Sequence, residues 1–207
     1  MTLEAHYLTA ERNERCLFTD LNFTLNSGEI LQVVGANGAG KTTLLRIISG
    51  LLPAVEGEVS WCGKRIEHCR ETYFSDLIYI GHQTGAKGGL TPRENLRFAG
   101  QLAGQALDMS AIDVALDTVG LRGMEDTETH MLSAGQQRRV SLARLALISA
   151  RLWILDEPLA ALDTSGVEIV ERLISRHLGQ QGMLLMTSHQ PLHFDTSSSP
   201  RLLVLDT

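Results

Sequence analysis

At 207 residues, with 43% hydrophobic and 20% charged side chains, the chain has the size and composition of one globular unit with a substantial core and no long disordered tail. A formal net charge of −6 and a pI near 5.6 argue against a surface built for nucleic acid, so no nucleic-acid partner is expected. Apolar runs stay strand-sized, far short of the ~20 residues of a bilayer span, and Met1 to His6 carry no signal-like pattern, so export is not expected and membrane contact must run through a partner.

In chain order, Leu3 to Ala10, Arg15 to Phe18, Asn22 to Leu25, Ile30 to Val34 and Glu58 to Trp61 are strand-like runs, broken by Asn26-Ser27-Gly28 and by Pro53 to Gly57. The N-terminal third is therefore expected to be largely sheet, with one helix from Thr42 to Ser49. From Pro92 through Leu121 the period changes: Leu96, Ala99 and Leu102, then Ile112, Ala115, Leu116 and Val119, recur at helical spacing and predict a helical lobe. A helix from Gln136 to about Ala150, a strand Leu152 to Leu155, a helix Val167 to Leu178 and a strand Met183 to Thr187 follow. A loop from Asp195 to Pro200 leads to a last strand, Arg201 to Leu205. Alternating strands and helices predict an α/β fold whose parallel sheet is covered on both faces. Cys16, Cys62 and Cys69 are odd in number and lack C-x-x-C spacing, so neither a disulfide framework nor a zinc site is indicated, and His130, His177 and His193 are expected at the surface.

Gly35-Ala36-Asn37-Gly38-Ala39-Gly40-Lys41-Thr42-Thr43 fits G-x-x-x-x-G-K-[ST] directly behind the apolar run Ile30 to Val34. Glycines let the backbone curl and aim successive N–H groups at one anion, and the following helix adds its partial positive charge. Lys41 can bridge the outer phosphates of a nucleotide, and the Thr42 hydroxyl is placed to hold Mg²⁺. Trp153-Ile154-Leu155-Asp156-Glu157-Pro158 ends an apolar strand in two carboxylates, at the rim where ligands of parallel sheets bind. Asp156 can join the Mg²⁺ shell opposite Thr42, and Glu157 can orient the attacking water. Taken alone, a glycine-rich turn or an acidic turn after a buried strand would mean little; the two together in one chain point to nucleotide hydrolysis. In Leu132-Ser133-Ala134-Gly135-Gln136-Gln137-Arg138-Arg139, Ser133 is a good helix N-cap followed by small residues that leave N–H groups open to an anion.

This last stretch, placed shortly before the Asp156 strand, resembles the signature of the ATP-binding cassette family, usually written L-S-G-G-Q. The resemblance covers essentially the whole chain. It implies a P-loop nucleoside triphosphate hydrolase fold in a single domain 1–207, with a mainly parallel core sheet, an N-terminal antiparallel β lobe and an inserted helical lobe of approximately 85–150. It also implies a homodimer in which Ser133, Gly135 and Gln136 of one copy meet the γ-phosphate held by the other. Gln83, in Gly81-His82-Gln83, resembles the family's glutamine that reports Mg²⁺ and γ-phosphate occupancy to the helical lobe. His189, in Thr187-Ser188-His189, resembles the switch histidine, and Leu159 to Asp163 resembles the loop whose Asp163 faces across the dimer. Two positions depart from the pattern. Ala134 replaces the first signature glycine and can still donate its N–H if its φ is negative. Arg12 stands where the family often stacks adenine on an aromatic, with Tyr7 as a substitute platform.

Within the family, Gly81 to Gly85, Leu90 to Leu96, Leu132 to Val140 and Ser188 to Leu192 look like the ATP-binding subunits of bacterial haem export or cytochrome c biogenesis. That resemblance implies two such chains with two copies of a transmembrane subunit and further cytochrome c maturation components, peripheral on the cytoplasmic face of the inner membrane. The task would be haem export or release of a haem-loaded chaperone. Another small exporter's ATPase subunit, a soluble cassette ATPase acting on ribosomes or DNA, and a small-molecule kinase are the competing readings at this point.

Overall fold

A computed structural model describes residues 1–188 and 200–205 of the chain. The first strands, β1 (Thr2–Arg12) and β2 (Arg15–Asn26), form an antiparallel hairpin through Asn13 and Glu14, whose φ values of 52° and 60° suit a tight turn matching the strand twist. The two short runs expected within Arg15 to Leu25 are one strand, because irregular pairing absorbs the polar interruption between them. Register shifts flank the Leu8–Leu21 pair, Tyr7 (φ 52°) and Asp20 (φ 50°) take left-handed backbone, and the Tyr7 amide donates to Asn22 Oδ1 at 2.9 Å.

After β3 (Ile30–Val34), α1 spans Lys41–Ile48, one residue earlier at each end than Thr42 to Ser49. β4 (Glu56–Trp61) returns to pair with β1, and the two-residue β5 (Lys64–Arg65) completes an antiparallel sheet ordered β2-β1-β4-β5. α2 (Arg70–Ser75) and β6 (Leu77–Ile80) come without a matching expectation: the helix is too short to display a period, and four apolar residues fit either state.

The helical stretch consists of α3 (Pro92–Leu102), α4 (Met109–Thr118) and α5 (Ala134–Leu147). α3 begins at a reciprocal capping box of Thr91 and Glu94 with Pro92 in its first turn, and Arg93 Nε donates to Asp113 Oδ1 at 2.9 Å to tie it to α4. α5 begins two residues before Gln136, because Ser133 and Gln136 form a second capping box. Then follow β7 (Leu152–Asp156), α6 (Thr164–Gly179), β8 (Met183–Thr187) and β9 (Arg201–Val204). The second sheet is parallel throughout, in the order β6-β7-β8-β3-β9. The expected α/β architecture, with an antiparallel N-terminal sheet beside a parallel one, is the one found.

Both faces of the parallel sheet are covered. Along β7, Trp153 and Leu155 belong to the core formed with α3 to α6, whereas Leu152 and Ile154 belong to the core that holds α1 and the antiparallel sheet. β8 divides the same way, Leu184 and Met186 against Met183 and Leu185. Period-two alternation between two apolar environments is why these strands read as unbroken hydrophobic runs. His177 departs from its expected surface position: it is 6% exposed, stacked on Trp153 with ring centroids 3.8 Å apart. His130 is exposed as expected, and His193 lies outside the described residues. Among the described residues, no helix is long and apolar enough to cross a membrane.

Candidate functional site

Gly35 to Gly40 connect the carboxyl end of β3 to α1. A Cβ on Gly35 (φ 155°) would lie 2.7 Å from the Leu205 carbonyl oxygen, and one on Gly40 (φ 99°), the N-cap of α1, would meet Leu17 at 3.0 Å. Backbone therefore passes where a side chain has no room, and the loop wraps closely around the helix end. No side chain caps that end and no acidic residue sits in the first turn, so the opening amides of α1 carry the helix's partial positive charge outward. Lys41 curls back over the loop, its Nζ donating to Gly35 O at 2.8 Å and Ala36 O at 3.1 Å. Amide donors and one ammonium thus converge on a place suited to phosphate.

The acidic rim is assembled by strand register. Asp156, 1% exposed at the end of β7, accepts from Thr42 Oγ1 at 2.8 Å through Oδ2 and from Thr187 Oγ1 at 2.8 Å through Oδ1. Glu157 follows in left-handed backbone (φ 49°), which costs a non-glycine residue about 1–2 kcal/mol. Its N–H donates to Thr187 Oγ1 at 2.9 Å, and its carbonyl accepts from Arg138 Nη2 at 2.8 Å. The Thr187 hydroxyl is therefore a bridge, accepting from the Glu157 amide while donating to the Asp156 carboxylate.

A cavity of about 270 Å³ gathers Arg12, Asn37, Gly38, Gly40, Lys41, Thr42, Thr43, Asp156 and Glu157, together with Leu17 and His82. Gly35 and Ala36 supply the carbonyls that hold Lys41, and Ala39 is buried beneath the loop. Arg12 reaches the site from the end of β1, whereas Tyr7 lines a separate depression with His6, Gly57, Glu58 and Arg65 and cannot serve as the base platform here. Gln83 is exposed and lies outside this lining. The Asp156 carboxylate is hydrogen-bonded to two hydroxyls, those of Thr42 and Thr187, and among the described residues no group of three or more His, Cys, Asp and Glu could cage a metal by itself. Such a sparse set fits Mg²⁺, which keeps waters and takes much of its shell from phosphates.

Ser133, Gly135 and Gln136 are at the start of α5, also outside the cavity. Ser133 N–H donates to Gln136 Oε1 at 2.8 Å and Gln136 N–H to Ser133 Oγ at 3.3 Å, so the Ala134 and Gly135 amides are the ones presented at this helix end. Ala134 is helical, without the positive φ that would turn its N–H away. Asp163 caps α6, accepting from Gly166 N–H at 2.9 Å and pairing with Arg139; the Gly166 amide first, then Arg139, hold its carboxyl below the usual range. His189 lies outside the described residues. Thr187, His82, Arg138 and Arg139 carry contacts that the motifs do not assign; the side-by-side arginines after Gln137 were the visible signal for two of them.

A family model for ABC transporters matches residues 18–160. The cytochrome c biogenesis ATP-binding export protein CcmA of Methylococcus capsulatus is 51% identical over 188 residues, 91% of each chain. The structure of an ATP-binding subunit of an ABC transporter superposes with a TM-score of 0.82 at 25% identity, covering 91% of this chain and 80% of that one. A dimeric ATP-binding cassette in a post-hydrolysis state with ADP and Pi shares the fold at a TM-score of 0.80 and 22% identity, over 91% of this chain and 88% of that one. With the phosphate loop, the paired carboxylates and the capped Ser133 turn all in place on a matching fold, the chain belongs to the ABC transporter family.

Proposed function

We propose that this chain is the ATP-hydrolysing subunit of a membrane complex in c-type cytochrome biogenesis, working as a homodimer beside two copies of a transmembrane subunit. Relatives near half identical over nearly their full length, the Methylococcus capsulatus protein among them, are named cytochrome c biogenesis ATP-binding export proteins, which supports this reading. The observation that carries the site reading is the hydrogen-bonded run Thr42–Asp156–Thr187–Glu157 beneath the phosphate loop. In this proposal residues 1–207 are one ATP-binding domain, peripheral on the cytoplasmic face of the inner membrane through its partner.

In this reading the amides of Gly38 to Thr43 and the Lys41 ammonium hold the phosphates, and the Arg12 guanidinium lies against the base. Thr42 and Asp156 would hold Mg²⁺, which when bound neutralises charge on the β- and γ-phosphoryl oxygens. Glu157 orients the attacking water and His189 steadies it. As the family resemblance implies, the Ser133 turn, which lies outside this chain's own phosphate cavity, offers its Ala134 and Gly135 amides to the nucleotide of a second copy, and Asp163 faces across the dimer. The two copies close on ATP and reopen after hydrolysis, a two-state element biased by differential nucleotide contacts. The loop after Gln83 forms one wall of a cleft of about 240 Å³ with Phe98, Leu102 and Arg144, a surface suited to receiving the membrane subunit.

Glu157→Gln should keep Mg-ATP bound and trap a closed dimer, read by size-exclusion chromatography with ATP and by phosphate release; near-normal turnover refutes the assignment. Purification from native membranes tests the pathway, and partners unrelated to cytochrome c maturation would point to another exporter.

A further inference from the structure

We propose that Arg138 is a positioning residue for ATP hydrolysis: its guanidinium clasps carbonyls at the ends of β6 and β7 and so holds the backbone of Glu157 in place. The proposal rests on the role given to Glu157 above. Arg138 is 2% exposed, and its hydrogen-bond partners are backbone carbonyls from two separated segments. Nη1 donates to Gly81 O at 2.7 Å, Nη2 to Asp156 O at 3.0 Å and Glu157 O at 2.8 Å, and Nε to Pro158 O at 3.3 Å.

A buried cation is an expensive way to fill space, since burial works against its charge and Asp156 and Glu157 offset only part of that. What it provides is a rigid planar fork with donors in fixed directions, matched to carbonyls that diverge from two strand ends. Glu157 needs such support. A non-glycine residue stays in left-handed backbone only when its surroundings over-determine it, and here both of its backbone polar groups are taken, the N–H by Thr187 and the carbonyl by Arg138. Arg138 also lies one turn along α5 from Ala134, the first residue after Ser133, and Gly81 is two residues before Gln83. One side chain therefore joins the carboxylate of its own site to the turn proposed to reach the neighbouring copy's nucleotide. Arg139 points elsewhere, to Val119 O at 3.0 Å and Ser165 Oγ at 2.8 Å, so the two arginines are not interchangeable.

The test uses the purified complex with its membrane subunit, comparing wild type, Arg138→Met, Arg138→Lys, Glu157→Gln and the double variant Arg138→Lys/Glu157→Gln. Single-turnover phosphate release and steady-state turnover give rates, a fluorescent ATP analogue gives Kd, and melting reports folding. Arg138→Met should lower kcat by about a hundredfold with Kd within about threefold, the size expected when a catalytic group is misplaced by about an ångström. Arg138→Lys keeps the charge but not the fork, and should melt normally while losing about tenfold in kcat. Added to Glu157→Gln it should cost less than about twofold more, because both changes act through one carboxylate. Turnover of Arg138→Lys within about threefold of wild type, a rise in KM and Kd matching the fall in kcat, or a fully multiplicative loss in the double variant would each overturn the proposal. If Arg138→Met fails to assemble, Arg138→Lys and its double variant decide. Near-wild-type turnover of Glu157→Gln overturns the carboxylate role and this proposal together; an inactive Glu157→Gln beside an unimpaired Arg138→Lys overturns the proposal alone.

Discussion

Acid should destabilise this protein through one imidazole. His177 lies on α6 with its ring flat against Trp153, 6° between planes, and its Nε2 is 3.1 Å from the Met183 carbonyl oxygen. A carbonyl can only accept, so Nε2 carries a proton, and because burial disfavours the charged form the second nitrogen stays unprotonated at neutral pH. Burial pushes its pKa down from 6.5 to about 4, with the bond to Met183 opposing. Between those values the unfolded chain binds a proton that the folded chain refuses, so this contribution is whole above pH 6.5 and is lost as pH falls toward 4. At ~1.36 kcal/mol per pH unit across that window, the loss is about 3 kcal/mol. Urea unfolding followed by tryptophan fluorescence, at pH 7 and at pH 4, checks this against His177→Phe, which preserves the stack and cannot be protonated. No carboxylate is among the causes of the His177 shift, so the difference between the two proteins isolates the ring. Wild type should lose about 3 kcal/mol more than the variant on acidification; a difference that stays flat with pH refutes the burial argument.

Lys41→Ala should weaken Mg-ATP binding by about tenfold to a hundredfold, the loss of one or more charge-assisted hydrogen bonds; fluorescent nucleotide titration measures it, and unchanged affinity refutes the placement. In Gly135→Ala the new Cβ would sit 2.8 Å from the Ala161 carbonyl oxygen, so the start of α5 or the segment before Asp163 must shift. Turnover should fall about tenfold while binding at the phosphate loop holds, and wild-type turnover would show that the two segments adapt without consequence. Ile154→Ala, fully buried in β7, should cost about 2–5 kcal/mol in denaturant unfolding; less than about 1 kcal/mol would mean the core there collapses around the gap.

The parts of the site whose chemistry is contiguous were legible in the sequence. Gly35 to Thr43 carries its own loop, ammonium and hydroxyl, and Asp156 and Glu157 follow an apolar strand that could only end at a sheet rim. The Thr187 bridge was not legible, because it depends on β7 and β8 pairing so that Asp156 lies beside Thr187. Arg138 and His177 were hidden for a related reason: a polar residue on a helix defaults to solvent, and only the packing of neighbouring elements reveals that carbonyls or an indole await it. The bulged β2 misled the strand count, since polar Asp20 interrupts the alternation without breaking the strand. Gln83 was legible as a motif, but its exposed position depends on a loop conformation that spacing does not encode.

The grip of Lys41 on its own loop sets the terms on which nucleotide enters. Since the ammonium already has Gly35 and Ala36 oxygens as partners, a phosphate bound there would arrive by exchange, one set of oxygens for another, with the side chain's rotamer freedom largely surrendered at folding instead of at binding. The loop is thereby preorganised, and selection between ATP and ADP would fall to whatever the third phosphate can reach beyond it.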